Sequence, residues 1–153
     1  MLPLILSIAL LTAGEIEGKV VAITDGDTIT VLVNQEQVKV RLDGIDAPER
    51  SQAFGTQARE KLAELAFGKT VKVVTHGKDR YGRTIGTVFA EGRSANLEMV
   101  RAGLAWHYVE YPKDTELADA EAKARAEKRG LWADKSPVAP WEFRKRPAKK
   151  KAA

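Results

Sequence analysis

Between residues 16 and 90 the apolar residues follow a two-residue period in five short runs, interrupted once by a helical period, and this order constrains the fold more than any other feature. Ile16 to Thr24 reads as a first strand, with Val20, Val21 and Ile23 apolar. Asp25-Gly26 is a turn signal. Thr28 to Val33 alternates, with Ile29, Val31 and Val33 on one face and Thr28, Thr30 and Leu32 on the other. Asn34 to Gln37 is a polar turn, and Val38 to Leu42 alternates again with Lys39 and Arg41 outward. Ala47-Pro48 breaks the pattern, because a residue before proline avoids helical dihedrals. A helix is expected from about Thr56 to Phe67, where Ala58, Leu62 and Leu65 recur at helical spacing and Gly68 stops the run. Strands follow at Thr70 to Thr75 and Thr84 to Ala90, separated by the polar loop His76 to Arg83. Helices are then expected near Ala95 to Ala102, and from an Asp114 or Thr115 cap through Lys128.

Three strands, a helix and two strands is the run of a five-stranded Greek-key barrel. The predicted fold is therefore α+β, an OB-fold barrel with about three helices. With 153 residues and 44% hydrophobic content the chain suits one cored domain, and with no cysteine it has neither disulfides nor thiolate metal ligands. OB barrels bind oligonucleotides on one sheet face and with the loops joining strands 1–2 and 4–5. Here those loops are Asp25–Asp27 and His76–Arg83, and both are charged.

The formal charge of +4 is unevenly spread. Arg144, Lys145, Arg146, Lys149, Lys150 and Lys151 stand against Glu142 alone in residues 136–153, so the body is nearly neutral. That stretch, with Pro137, Pro140 and Pro147, reads as a linker and basic tail suited to clinging to polyanions. At the other end, Met1 to Leu11 is apolar apart from Ser7 and is followed by Thr12-Ala13-Gly14. This reads as a signal peptide over residues 1–14, cleaved near Ala13 or Gly14, with a domain over 15–135 and export to the periplasm or medium.

Three segments carry chemistry. Asp27 and Asp46, with the Ala47 carbonyl, offer hard oxygens of the kind calcium accepts. Glu49 is placed to accept a proton from an attacking water. Arg41 and Arg83 are forked, permanently charged groups suited to phosphate oxygens. Tyr81 and Tyr111 are candidates to stack on or border a nucleotide. His76 and His107 lack ligand spacing and receive no catalytic role.

The segments Ile23-Thr24-Asp25-Gly26-Asp27-Thr28, Val40-Arg41-Leu42 through Asp46-Ala47-Pro48-Glu49, and Asp79-Arg80-Tyr81-Gly82-Arg83-Thr84 resemble, in order, those of the thermonuclease family, which includes micrococcal nuclease. Asn96-Leu97 with Val100 to Ala105 adds a fourth match, and the resemblance runs from about Glu17 to Trp132. It implies Asp27, Asp46 and the Ala47 carbonyl as Ca2+ ligands, Arg41 and Arg83 as the phosphate-binding pair, Glu49 as general base, and Tyr81 and Tyr111 at the nucleotide. It further implies hydrolysis of DNA and RNA with low sequence specificity by a monomer, leaving 3′-phosphorylated products. Two departures stand out: the stretch from Glu49 to the helix is shorter than in micrococcal nuclease, and Val109 replaces an expected tyrosine. The alternative is a non-catalytic OB-fold module that binds nucleic acid or protein without cutting.

Overall fold

The structure, a computed structural model, describes residues 14–110 and 114–147. The expected leader (save Gly14), Tyr111 and Lys149 to Lys151 lie outside the described residues. In chain order the elements are β1 (Glu15–Asp25), β2 (Thr28–Val33), β3 (Glu36–Leu42), β4 (Ile45–Asp46), α1 (Gly55–Ala66), β5 (Thr70–Lys78) and β6 (Thr84–Ala90). There follow β7 (Arg93–Ser94), α2 (Ala95–Arg101), β8 (Trp106–His107), α3 (Thr115–Ala126), a 3₁₀ turn (Gly130–Ala133) and α4 (Pro140–Lys145).

The main sheet runs β3-β2-β1-β5-β6-β7 and closes into a barrel through a parallel pairing of β3 with β6, with Val40 opposite Thr84 and Leu42 opposite Gly86. Each strand of the barrel has a partner on both edges, and β1 divides its length between its two. Its first half pairs with β5, Ile16 opposite Val73, and its second half with β2, Ile23 opposite Ile29. Register shifts between Val20 and Ala22 and between Ile23 and Asp25 bend it around the barrel, as bulges do. Gly18 sits where the strand crosses over: a Cβ there would lie 2.1 Å from the Leu32 carbonyl oxygen.

Val20, Ile29, Val31, Val40, Leu42, Val71, Val73 and Val88 fill the barrel, and Ala58, Leu62 and Ala66 of α1 close one end of it. Thr28 and Thr30, on the face of β2 opposite Ile29 and Val31, are buried as well, and the Thr28 hydroxyl donates to Asp27 Oδ1 (3.0 Å). The Asp114 carboxylate caps α3, accepting from Leu117 N at 3.1 Å.

A second cluster lies outside the barrel. Trp106 of β8 packs against Trp132 (ring centroids 4.5 Å apart) and against Trp141 of α4 (5.4 Å). The Arg125 guanidinium lies 4.1 Å from the Trp132 ring centre. This cluster seats the C-terminal segment. The stretch read as a linker from residue 136 therefore contains a packed helix, started by Pro140 at its first turn and held by buried Phe143.

Candidate active site

The β1–β2 turn sets the first acids in place. Gly26 lies in the expected turn without a positive φ, and what requires a glycine there is closeness. A Cβ there would lie 2.7 Å from the Cβ atoms of both Ala47 and Ala58. The bare glycine lets the turn press onto the segment after β4. There Ala47 N donates to Asp27 Oδ2 at 2.8 Å, and Leu42 N donates to the Asp27 carbonyl at 2.8 Å.

Asp46 is positioned by the two-residue β4, which pairs with β8 so that Asp46 opposes Trp106. Arg41 organises the connection from β3 to β4. Its Nη1 donates to the carbonyls of Leu42 (2.6 Å) and Ile45 (2.8 Å), so the chain folds around the guanidinium. Its Nη2 then stands 3.5 Å from Asp27 Oδ2 and 3.4 Å from Asp46 Oδ1. One nitrogen thus faces both acids.

Arg83 comes from the opposite wall. Asp79 accepts from Arg83 Nε (2.6 Å) with one oxygen, and from the backbone N of Tyr81 (2.9 Å) and of Arg83 (3.0 Å) with the other. Burial is the largest single influence on Asp79 and opposes its ionisation, but the bonds from Arg83 and Tyr81 and the Arg83 charge together outweigh it and hold its carboxyl below the ordinary value. Tyr81 is exposed, and its ring centre lies 5.0 Å from the Arg80 guanidinium and 5.4 Å from that of Arg83.

Asp27, Arg41, Asp46, Glu49, Tyr81 and Arg83 all line one open cleft of about 550 Å3. The structure therefore brings together every described candidate except Ala47, which lies buried behind the cleft wall and is tied to it through Asp27. Two contributors escaped the sequence reading. Asp79 orients Arg83, and its signal was an acid four residues before the arginine in a glycine-containing loop. Arg144 of α4 reaches into the cleft: Nη1 donates to Asp46 Oδ1 (3.1 Å) and Glu49 Oε1 (2.8 Å), and Nη2 to Asp46 Oδ2 (2.8 Å). Its only signal was Pro140, a residue favoured at a helix start.

The acids are crowded in a dry setting. Asp27 is 5% and Asp46 1% exposed. Burial, then the charge of Asp27, pushes the Asp25 carboxyl up to about 7. Burial likewise raises Asp46, although Arg144 and Arg41 pull against it. Asp46 and Glu49 in turn hold the Arg144 guanidinium charged. Hard carboxylate oxygens packed this closely and away from water call for positive charge, and this donor set fits a hard divalent cation. No group of three or more acidic, histidine or cysteine side chains with metal-holding geometry occurs among the described residues. A cation here would complete its coordination with a backbone carbonyl, water and substrate oxygens.

Comparison with known proteins agrees with this geometry. The profile of the family described as Staphylococcal nuclease homologue matches residues 39–134. An Escherichia coli O157:H7 protein named as an uncharacterized endonuclease is 46% identical over 133 residues, covering 86% of this chain and 87% of the relative. A Shigella flexneri micrococcal nuclease is 44% identical over 142 residues, covering 86% of this chain and 82% of that protein. The staphylococcal-like nuclease CAN1 of Arabidopsis thaliana is 43% identical over 110 residues, covering 72% of this chain and 34% of the plant protein. The barrel, its acid-and-arginine cleft and this likeness over most of the chain agree: the protein belongs to the staphylococcal nuclease family and is a phosphodiester-hydrolysing nuclease.

Proposed function

We propose that this nuclease is calcium-dependent, cuts DNA and RNA with little sequence preference, and leaves 3′-phosphorylated ends. The observation that carries the reading is the convergence of two buried acids, Glu49 and two arginines on one cleft. Asp27 and Asp46, with the Ala47 carbonyl, would hold the ion, which when bound supplies Lewis-acid polarisation of the scissile phosphate.

The protein's own groups do the rest. Arg41, locked by two carbonyls through Nη1, presents Nη2 beside the acids and neutralises a non-bridging phosphate oxygen. Arg83, steered by Asp79, meets the phosphate from the other wall and offsets charge on the departing 5′-oxygen. Glu49 accepts the proton of the attacking water. Tyr81, exposed and flanked by arginines, offers a ring face to a base or sugar. Low specificity follows from this inventory, because every group addresses the phosphate or a generic ring face rather than a base edge. The basic residues of the C-terminal stretch add salt-sensitive phosphate affinity.

Digestion of single- and double-stranded DNA and of RNA in calcium, in magnesium and in chelator, with analysis of product ends, tests the reading. Cutting is expected in calcium with 3′-phosphate ends. Equal cutting in chelator, or 5′-phosphate ends, would overturn it. Binding without cutting would favour the non-catalytic module. We further propose export with removal of residues 1–14, which N-terminal sequencing of the secreted protein checks; an intact Met1 is the contrary result.

A further inference from the structure

The C-terminal helix brings a third guanidinium to the cleft, and it sits on a group the proposed ion requires. Arg144 donates to both oxygens of Asp46, at 3.1 and 2.8 Å, in the forked geometry that is the strongest pairing available to a carboxylate. Oδ1 also faces Arg41 Nη2 at 3.4 Å, so neither oxygen of Asp46 is free of a guanidinium. A calcium ion needs a carboxylate oxygen at about 2.3–2.6 Å and repels any cation held on the same group.

We propose that Arg144 is an internal competitor for the metal site. It neutralises Asp46 in the metal-free protein and must give up that carboxylate when a divalent ion binds, so that it weakens apparent metal affinity. This rests on the metal site proposed above.

The geometry shows which partner yields. The Asp46 side chain is 2% exposed and is fixed by the pairing of β4 with β8. The Arg144 side chain is 42% exposed and projects from a helix of six residues. It also has a second acceptor at hand, Glu49 Oε1 at 2.8 Å, to which it remains bonded after leaving Asp46. The helix does not depend on this ion pair for its seat. Gln52 Nε2 donates to the Val138 carbonyl (2.7 Å), Phe143 is buried, and Trp141 packs on Trp106 and on Tyr108, whose ring centroid lies 5.6 Å away. The guanidinium can therefore move while α4 stays in place.

Calorimetric titration of the chelator-stripped full chain with calcium chloride tests the proposal on wild type, Arg144→Met, Arg144→Lys and Asp46→Asn. Arg144→Met keeps an unbranched stem and removes the charge, and it is expected to bind calcium about tenfold more tightly than wild type. Arg144→Lys keeps the charge but loses the fork, and a smaller rise of about threefold is expected. Thermal unfolding gives a second readout. Arg144→Met leaves buried Asp46 with Arg41 as its one remaining cation, so it melts below wild type in chelator, and saturating calcium closes that gap through linkage.

Unchanged or weaker calcium binding by either Arg144 variant overturns the proposal. So does a melting deficit of Arg144→Met that is the same with and without calcium, which marks a merely structural ion pair. Failure of the underlying metal site looks different: wild type then binds no calcium, or Asp46→Asn binds it as well as wild type does.

Discussion

The two walls of the cleft hold equivalent arginines by opposite means. Arg41 belongs to the barrel. Two backbone carbonyls grip it, its strand is paired on both edges, and its side chain is 17% exposed. Arg83 closes a loop, its side chain is 29% exposed, and one carboxylate, Asp79, orients it. The first wall is a structural core that also carries function, whereas the second is a functional arm on a tether. Residues with similar chemical duties should therefore fail in different ways when changed.

The largest contrast is expected from truncating each arginine. Arg41→Ala and Arg83→Ala should each lower kcat about 10²–10³-fold, because each removes transition-state charge stabilisation of roughly 3–4 kcal/mol. Only Arg41→Ala should also unfold more readily, by about 2–4 kcal/mol, since it strips the carbonyls of Leu42 and Ile45 and leaves buried Asp27 and Asp46 without its charge. Denaturant melts beside single-turnover kinetics separate the two effects, and equal stabilities would erase the distinction.

Gly26→Ala probes the barrel wall without touching charge. Its Cβ would press on Ala47 and Ala58, at an expected cost of about 1–3 kcal/mol, with loss of activity as Asp27 is pushed away from Ala47. Wild-type stability in urea melts would remove closeness as the reason for the glycine.

Asp79→Asn is the matching probe of the tether. Stability should hardly change, while kcat/KM falls about tenfold, or roughly 1.4 kcal/mol, as Arg83 loses its orientation. A double mutant with Arg83→Ala should show no further loss, and additive losses would mean that Asp79 acts elsewhere.

The smallest effect concerns pH. In chelator, the folded protein keeps the Asp25 proton up to about 7, whereas the unfolded chain releases it near 3.8. The folded state thus binds the extra proton across that window, so this group makes stability fall as pH rises from 3.8 to about 7 and level off above it. Asp25→Asn should flatten that part of the slope and raise Tm at pH 8 by about 2–5 °C. An unchanged pH profile would show that Asp25 ionises normally.

Much of the barrel wall was legible in the sequence because its signals are local. The alternation of Thr84 to Ala90, the Asp114 cap and the stop at Gly68 act within a turn or a strand, and each element forms near where its pattern lies. The order of the charged segments then matched a family, which singled out Asp27, Arg41, Asp46, Glu49 and Arg83, and all five line one cleft. Gly26 lies in the turn expected of it, but its close approach to Ala47 and Ala58 leaves no trace in the two residues of a turn. The two-residue strands β4 and β8 were missed because each is too short to show a period, and they exist only by pairing with each other.

The sequence by itself determined the five strands, their order around one helix, and the residue types available for phosphodiester chemistry, since periodicity and turn chemistry are written along the chain. Tertiary structure alone decided that α4 would pack on the tryptophan cluster. It also set Arg144 on Asp46, 98 residues away. Such contacts form only after the barrel has closed and buried the acids, when an unpaired carboxylate in a dry cleft becomes costly and a guanidinium on a distant helix lies within reach.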